Sequence, residues 1–265
     1  MFKIKAQHVS VDIPVQGRTG GKKLKRGARE FTLKDRITHF RGRSVVRALD
    51  NVSFEAAAGD GIGIIGRNGS GKSTLLRVLA GFYVPTEGYA EIAGKISTLF
   101  SNNIGLEKDA SGLENIFFAF RLLGFDTRQT NALLPEIVEF CDLGDFINMP
   151  FRTYSAGMKT RLGFAIATSV NSDILLVDEI FGAGDRQFRN KAKERISRLF
   201  ENTGILLMAN HAEAVIKQYC NKVLWLDNGR VYRFGPIDEV LAEFEEIKNN
   251  TPHVKKALPG EKSGK

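Results

Sequence analysis

Apolar residues recur along the chain with two periods, one typical of β-strands and the other of α-helices. Residues 3–13 alternate between apolar and polar positions as a strand does, and residues 45–57 predict one or two more strands. The apolar runs at 62–65, 174–177 and 205–208 are continuous, as in strands that are buried on both faces of a parallel sheet. Helical patterns separate these runs, so the sequence predicts an α/β fold with a mostly parallel core sheet.

Between about residues 101 and 172 the apolar spacing becomes helical and predicts an all-helical insert. One helix is expected over residues 113–123 and a second over residues 131–141, with Pro135 near its first turn. We expect the whole chain, 1–265, to form a single domain that carries this helical subdomain.

The composition is that of a globular protein, since 43% of the 265 residues are hydrophobic and 26% are charged. No apolar run approaches the roughly 20 residues that span a bilayer. The N-terminal stretch also lacks the apolar core of a signal peptide, so we expect the chain to stay in the cytosol. Cys141 and Cys220 do not have the spacing of metal ligands and are expected to be packed thiols.

Positive charge is concentrated in two segments, and the net charge of +8 favours an anionic partner such as a nucleic acid, a nucleotide or a membrane surface. A basic loop at 17–29 lies inside an N-terminal insertion at about 16–43, and a lysine-rich tail at about 249–265 is expected to be flexible. The next apolar residues after the loop have the loose spacing of a short helix: Phe31, Leu33, Ile37 and Phe40. A basic loop before an amphipathic helix is typical of contact with a membrane surface, but an ordinary surface helix has the same pattern.

A glycine-rich loop follows the first continuous apolar run and precedes a helix. Its sequence, Gly66-x-x-x-x-Gly71-Lys72-Ser73, fits the P-loop pattern in the strand–loop–helix context that the pattern requires. Glycines let the backbone wrap around phosphates, Lys72 adds a positive charge, and the Ser73 hydroxyl can bind Mg²⁺. We therefore expect a nucleoside triphosphate to bind at these residues: Gly66, Arg67, Asn68, Gly69, Ser70, Gly71, Lys72, Ser73 and Thr74.

The apolar run at 174–177 ends in two acids, which is the Walker B form. Ligands of parallel sheets lie beyond the carboxyl ends of strands, where Asp178 can hold Mg²⁺ opposite Ser73. Glu179, one residue further on, can orient or deprotonate the attacking water. After a P-loop, this pair predicts hydrolysis of the bound nucleotide.

A second anion site is predicted at the start of the helix after residue 154. Ser155 has the position of a helix N-cap, and Gly157 permits close approach of another group to the backbone. Seen alone, the segment YSAGM is an ordinary capped helix. Its position about twenty residues before the Walker B acids makes a nucleotide-binding role the better interpretation.

These motifs, in this order, resemble the ABC ATPase family over roughly residues 45–235. The family's signature is usually LSGGQ, where this chain has YSAGM. The resemblance implies a P-loop NTPase fold with a mostly parallel core sheet, an antiparallel β subdomain and an all-helical insert. It also implies that ATP and Mg²⁺ are bound, that His211 is the switch histidine on the γ-phosphate, and that Asp185 lies at a dimer seam.

Two segments resemble one branch of that family. YSAGMKTRLGFAIAT and DILLVDEIFGAGD look like the ATP-binding subunits of polysaccharide exporters, which serve O-antigen, capsule and teichoic acid. The resemblance implies an ATPase that drives export of a lipid-linked cell-envelope polysaccharide across the cytoplasmic membrane. The motor of another ABC transporter, an importer or a different exporter, is the alternative.

The chain departs from the family at two places. The strand before the helical insert usually ends in glutamine or glutamate, where this chain offers Ser101 or Asn102. An aromatic residue usually stacks on adenine before the P-loop, but residues 45–47 are Val-Val-Arg, so the base contact is expected to be weak or to come from Phe40 or an arginine.

Each motif occurs once, so the resemblance implies that one chain carries two half-sites and that hydrolysis requires a second copy. In such a dimer Lys72, Asp178 and Glu179 face Ser155 of the other copy. The further partner is an integral membrane permease, itself expected to be a homodimer, at the cytoplasmic face of the inner membrane. Nucleic-acid-associated members usually carry two ATPase modules or long coiled coils, and their absence here argues against a nucleic acid partner.

Overall fold

The computed structural model describes residues 2–14, 37–40, 43–100, 106–178 and 186–250. The strands in these ranges are β1 (Lys3–Pro14), β2 (Ile37–Phe40), β3 (Arg43–Ala57), β4 (Gly61–Ile65), β5 (Glu87–Ala93), β6 (Ile96–Phe100), β7 (Ile174–Asp178), β8 (Ile205–Ala209), β9 (Lys222–Asp227) and β10 (Arg230–Pro236). The helices are α1 (Lys72–Leu79), α2 (Gly112–Leu122), α3 (Thr127–Cys141), α4 (Ala156–Ala167), α5 (Arg186–Asn202), α6 (Glu213–Tyr219) and α7 (Ile237–Asn250).

The central sheet has the strand order β10–β9–β4–β8–β7–β6 among the described residues. All neighbouring pairs in it are parallel except β9 and β10, which are joined by a tight turn and run antiparallel. Every residue of β4, β7 and β8 is buried, as their continuous apolar runs predict. The prediction of an α/β fold with a mostly parallel core sheet is confirmed.

A second, antiparallel sheet covers one face of the first. Its described strands follow the order β2–β3–β1–β5. Helix α1 lies between the two sheets, since Leu75 and Leu76 belong to the same apolar cluster as Ile4 of β1 and Ile64 of β4. On the other face of the central sheet, α5, α6 and α7 contribute to a separate cluster through residues such as Leu199, Ile216 and Val240. Helix α1, which follows the P-loop, is thus held between the central sheet and the antiparallel sheet.

Helices α2, α3 and α4 have an apolar core of their own, which includes Ile116, Phe120, Ile137 and Leu162. The helical insert predicted from the apolar spacing is therefore present in the described residues. None of the helices in those residues is both long and apolar enough to cross a bilayer.

Helix α3 corrects one expectation, because Pro135 lies inside the helix rather than near its first turn. The helix begins at Thr127, four positions earlier than predicted, where Asp126 and Gln129 form a capping box. The Gln129 N–H donates to the Asp126 carboxylate at 2.7 Å, and the Asp126 N–H donates to the Gln129 side chain at 2.9 Å. The two hydrogen bonds of this capping box compensate for the single backbone hydrogen bond that a proline inside the helix removes.

The segment 37–40 corrects a second expectation, since Ile37 and Phe40 were assigned to a short helix. In the structure they belong to strand β2, which pairs antiparallel with β3, Ile37 beside Val46 and Phe40 beside Arg43. Pairing with β2 satisfies backbone groups of β3 that would otherwise lie at a sheet edge, and apolar spacing alone does not reveal such a partner. Phe31, Leu33 and the basic loop 17–29 lie outside the described residues.

Candidate functional site

The P-loop connects β4 to α1, and three of its glycines have positive φ. The angles are 143° at Gly66, 79° at Gly69 and 110° at Gly71. A Cβ at Gly66 would overlap the carbonyl oxygen of Leu226, and one at Gly71 would lie 2.9 Å from the carbonyl oxygen of Ala48. Two of these glycines are therefore required both by backbone conformation and by space.

Two polar side chains of the loop are buried. Lys72, 7% exposed, folds back over the loop and donates to the carbonyl oxygens of Gly66 at 2.9 Å and Arg67 at 3.1 Å. The Ser70 hydroxyl, 3% exposed, has no hydrogen-bond partner among the described residues. Since buried hydroxyls are nearly always paired, this one is left for a partner that the described residues do not supply. A glycine-lined loop with a buried lysine and an unpaired hydroxyl fits a phosphate chain.

Four strands of the central sheet end in one row. Ile64 of β4 lies beside Ala209 of β8, Ala209 beside Asp178 of β7, and Asp178 beside Phe100 of β6. The structure therefore brings the P-loop, the segment that carries His211 and the Walker B aspartate to the same edge of the sheet, where ligands of parallel sheets bind.

Asp178 is 9% exposed in that row, and α1, which bears Ser73 and Thr74 in its first turn, packs against β7. The two predicted Mg²⁺ ligands, Ser73 and Asp178, thus belong to a helix and a strand that pack against each other. A largely buried carboxylate and a hydroxyl are oxygen ligands that suit Mg²⁺. Glu179 and Asp185 lie outside the described residues, as do Ser101 and Asn102.

Asn210 is a candidate residue that the sequence analysis missed. It follows β8, is 9% exposed, and accepts a hydrogen bond from the Ala212 N–H at 2.8 Å. The turn closed by this bond contains His211, which is exposed. A polar residue directly after a continuous apolar strand was the available signal.

Ser155 caps helix α4, as predicted: its hydroxyl oxygen accepts from the Met158 N–H at 3.2 Å. The residue is exposed, and its described hydrogen bonds stay within its own helix. A Cβ at Gly157 would find only the Ser155 hydroxyl, at 3.9 Å, so the fold of the described residues leaves that side of the helix open. No hydrogen bond among the described residues connects Ser155 with the P-loop of the same chain.

Tyr154 anchors the start of that helix. It is 4% exposed, its hydroxyl donates to the Phe146 carbonyl at 2.6 Å, and burial raises its pKa. A Cβ at Gly112 would overlap the tyrosine hydroxyl, so the glycine makes room for it. The tyrosine in YSAGM therefore fixes the position of the serine that follows it.

Arg47 of β3 is held by three carboxylates. It forms two hydrogen bonds with Asp12, at 3.0 and 3.1 Å, one with Glu87 at 3.0 Å, and an ion pair with Asp50 at 3.5 Å. The hydrogen bonds with Asp12, and next the one with Glu87, raise its pKa above the ordinary value. Arg47, which stands where the family usually has its adenine-stacking aromatic residue, is thus engaged in an ionic cluster.

The fold and the loop define the class: this is a P-loop nucleotide-binding protein with an α/β core. The family follows from the sequence, because the model of the ABC transporter family matches residues 49–182. The chain therefore belongs to the ABC transporter family and is an ATPase of that family, as the order of its motifs predicted.

Two curated relatives cover most of the chain. This chain is 46% identical to the O-antigen export system ATP-binding protein RfbE of Yersinia enterocolitica over 198 residues. The aligned residues cover 74% of this chain and 83% of the relative. It is 38% identical over 218 residues to the teichoic acids export ATP-binding protein TagH of Staphylococcus saprophyticus, 82% of each chain. The resemblance to ATP-binding subunits of polysaccharide exporters is confirmed.

Solved structures show the same fold at lower identity. A structure of the ATP-binding subunit of an ABC transporter matches with a TM-score of 0.68 and 21% identity, covering 91% of this chain and 93% of that one. A dimeric structure of a post-hydrolysis state of the ATP-binding cassette MJ0796, bound to ADP and Pi, matches with a TM-score of 0.63 and 20% identity, covering 88% and 98%.

Proposed function

We propose that this protein is the ATP-hydrolysing subunit of an ABC transporter that exports a lipid-linked cell-envelope polysaccharide. The observation that carries the proposal is the 46% identity to an O-antigen export ATP-binding protein over 83% of that protein's length. The glycine-rich P-loop, with its buried Lys72 and the unpaired Ser70 hydroxyl, supports nucleotide binding by this chain's own residues. The whole chain, 1–265, acts in this proposal as one nucleotide-binding domain with a helical subdomain.

Each residue of the site has a distinct role in hydrolysis. The P-loop residues 66–74 hold the phosphates of ATP, with Lys72 as the positive charge. Ser73 and Asp178 would hold Mg²⁺, which would neutralise negative charge on the phosphates of ATP. Glu179 orients the attacking water and takes its proton, and His211 donates a hydrogen bond to the γ-phosphate.

Two copies of the chain complete two such sites. Ser155 is exposed and Gly157 has open space beside it, which suits contact with a ligand carried by another subunit. The capped start of α4 offers backbone N–H groups and the positive end of a helix dipole to a γ-phosphate. Closure of the dimer on ATP then moves the helical subdomains, and hydrolysis releases them.

An exposed apolar loop after α1 is the surface we assign to the permease. Three consecutive apolar residues are exposed there: Phe82, Tyr83 and Val84, at 50%, 38% and 87%. A contiguous exposed apolar patch marks an interaction site, whereas a single exposed apolar residue does not. Phe82 contacts Phe100 at the end of β6, with ring centroids 6.0 Å apart, so the loop adjoins the row of strand ends at the nucleotide site. A permease seated there, itself a homodimer, would place the protein at the cytoplasmic face of the inner membrane. The basic loop 17–29 adds contact with anionic lipid.

Deletion of the gene tests the function in cells. We expect the polysaccharide to disappear from the surface and its lipid-linked form to accumulate inside. The wild-type chain should restore export, and the Lys72→Ala variant should not, because the phosphate site loses its charge. Lys108→Ala, at an exposed lysine, is the matched control and should restore export. Normal surface polysaccharide together with loss of another transported solute would instead assign the protein to a different ABC transporter.

A further inference from the structure

Three phenylalanines from three different helices meet in a closed triangle. Phe140 of α3, Phe164 of α4 and Phe188 of α5 have ring centroids 5.7 Å apart in each pair. One pair is stacked and two are edge-to-face, the arrangements that aromatic rings prefer. Phe164 and Phe188 are 9% and 4% exposed, so the contact is dry.

Arg195 of α5 ties the same three helices together with polar contacts. Its guanidinium lies 4.4 Å from the centroid of the Phe140 ring and forms an ion pair with Glu136 of α3 at 2.9 Å. Its Nε donates to the carbonyl oxygen of Thr168, the C-cap of α4, at 3.3 Å. Burial lowers the pKa of Arg195, and the neighbouring Glu136 opposes that change. We call Phe140, Phe164, Phe188 and Arg195 the aromatic joint.

The aromatic joint lies between two parts of the nucleotide site. On one side, α4 runs without interruption from its cap Ser155 to Phe164, about 13 Å along the helix axis. On the other side, Leu199 of α5 shares an apolar cluster with Leu175 and Val177 of β7, the strand that ends in Asp178. Packed side chains therefore connect the signature serine to the Walker B strand within one chain.

We propose that the aromatic joint couples the two ATP sites of the dimer by holding α4 in a fixed position relative to β7. The inference rests on the proposed dimer, in which each site takes its P-loop and Asp178 from one copy and Ser155 from the other. When one ATP site closes, it fixes the position of α4 in the chain that supplies Ser155 to that site. The aromatic joint then fixes β7 of the same chain, and β7 carries the Asp178 of the second site. Close-packed interiors have low compressibility and transmit strain, which suits such a rigid connection. Phe188 and Arg195 are positioning residues, since neither belongs to the phosphate-binding set.

Steady-state ATPase measurements on the full chain test the coupling. Two identical coupled sites give a Hill coefficient for ATP that approaches about 2. We expect Phe188→Leu and Arg195→Met to lower it to about 1, while the affinity for ATP measured by equilibrium binding stays within about twofold of wild type. Phe120→Leu is the matched control, because Phe120 is fully buried within the helical subdomain and contacts Phe125 there. It should keep the wild-type Hill coefficient.

The outcomes separate this inference from the function on which it rests. A wild-type Hill coefficient near 1 without ATP-dependent dimers overturns the dimer, and the coupling with it. A cooperative wild type whose cooperativity persists in both joint variants overturns the coupling alone. If Phe188→Leu does not fold, Arg195→Met decides, with Arg195→Lys expected to lie between it and wild type because lysine keeps the charge but not the planar contact.

Discussion

The side-chain oxygen of Asn210 accepts a hydrogen bond from the backbone N–H of Ala212 at 2.8 Å, which closes a turn around His211. Asn210 is buried at the end of β8, next to β4 and β7, whereas His211 is exposed. Turns of this kind fix the local backbone. We infer that Asn210 determines where the His211 side chain leaves the sheet.

Asn210→Ala removes the acceptor and should lower kcat for ATP about fivefold, because one hydrogen bond contributes about 1 kcal/mol. The KM for ATP should change less, since the P-loop keeps its own contacts. Steady-state kinetics measure both. Asn210→Ser is the control: a serine hydroxyl closes the same turn more weakly, so its kcat should be intermediate. An unchanged kcat in Asn210→Ala would contradict the supporting role.

Gly66→Ala should abolish binding of ATP, whereas Gly59→Ala should not. Both glycines have positive φ, 143° and 92°, so alanine is strained at each. A Cβ at Gly66 would overlap the carbonyl oxygen of Leu226 and distort the loop, while a Cβ at Gly59 meets nothing within 4 Å. Equilibrium binding of ATP and thermal unfolding of both variants separate loop geometry from general strain. Equal binding by the two variants would show that the overlap is harmless.

The P-loop and its setting could be predicted because the information is local. The buried strand before Gly66, the glycines and the helix after Lys72 lie within one short stretch, and each follows from spacing and residue type. Asp178 was found for the same reason, as an acid after a continuous apolar strand. The early start of α3 could also be predicted, since Asp126 and Gln129 have capping-box spacing, and α3 contains Pro135 in its interior.

What could not be predicted depends on contacts between distant segments. Tyr154 reaches the carbonyl of Phe146 only because Gly112, on another helix, leaves space for its hydroxyl. Arg195 meets Glu136 and Thr168 from a helix that is remote in sequence. No periodicity marks such contacts, because they arise from how helices pack and not from any one helix.

Glu179→Gln should bind ATP, form a stable dimer and stall before hydrolysis. The amide keeps the size of the side chain but cannot take a proton from water, so only the chemical step is lost. Size-exclusion chromatography with ATP and Mg²⁺ checks dimer formation, and release of phosphate checks hydrolysis. Hydrolysis at the wild-type rate would show that another group is the base.

Discrimination between ATP and GTP should be weak, with kcat/KM values within about tenfold, because one missing contact to the base corresponds to roughly 1 kcal/mol. Arg47 is bound to Asp12, Asp50 and Glu87, and Val45 is buried, so neither side chain is placed to stack on the base. Parallel kinetics with the two nucleotides measure the ratio. A strong preference for ATP would point to a base contact outside these residues.

Gly157→Ala should make the isolated chain slightly more stable and the enzyme much less active. Alanine in a helix is favoured over glycine by about 0.5–1 kcal/mol, and a Cβ at this position finds open space, so the melting temperature should rise by about 2 °C. In the proposed dimer the same methyl group would occupy the space needed by the partner's nucleotide, and ATPase activity should fall at least about tenfold, the cost of roughly 1.4 kcal/mol in the transition state. Calorimetry and ATPase assays on one preparation measure both effects. A rise in stability with full activity would show that the open side of α4 does not receive a second subunit.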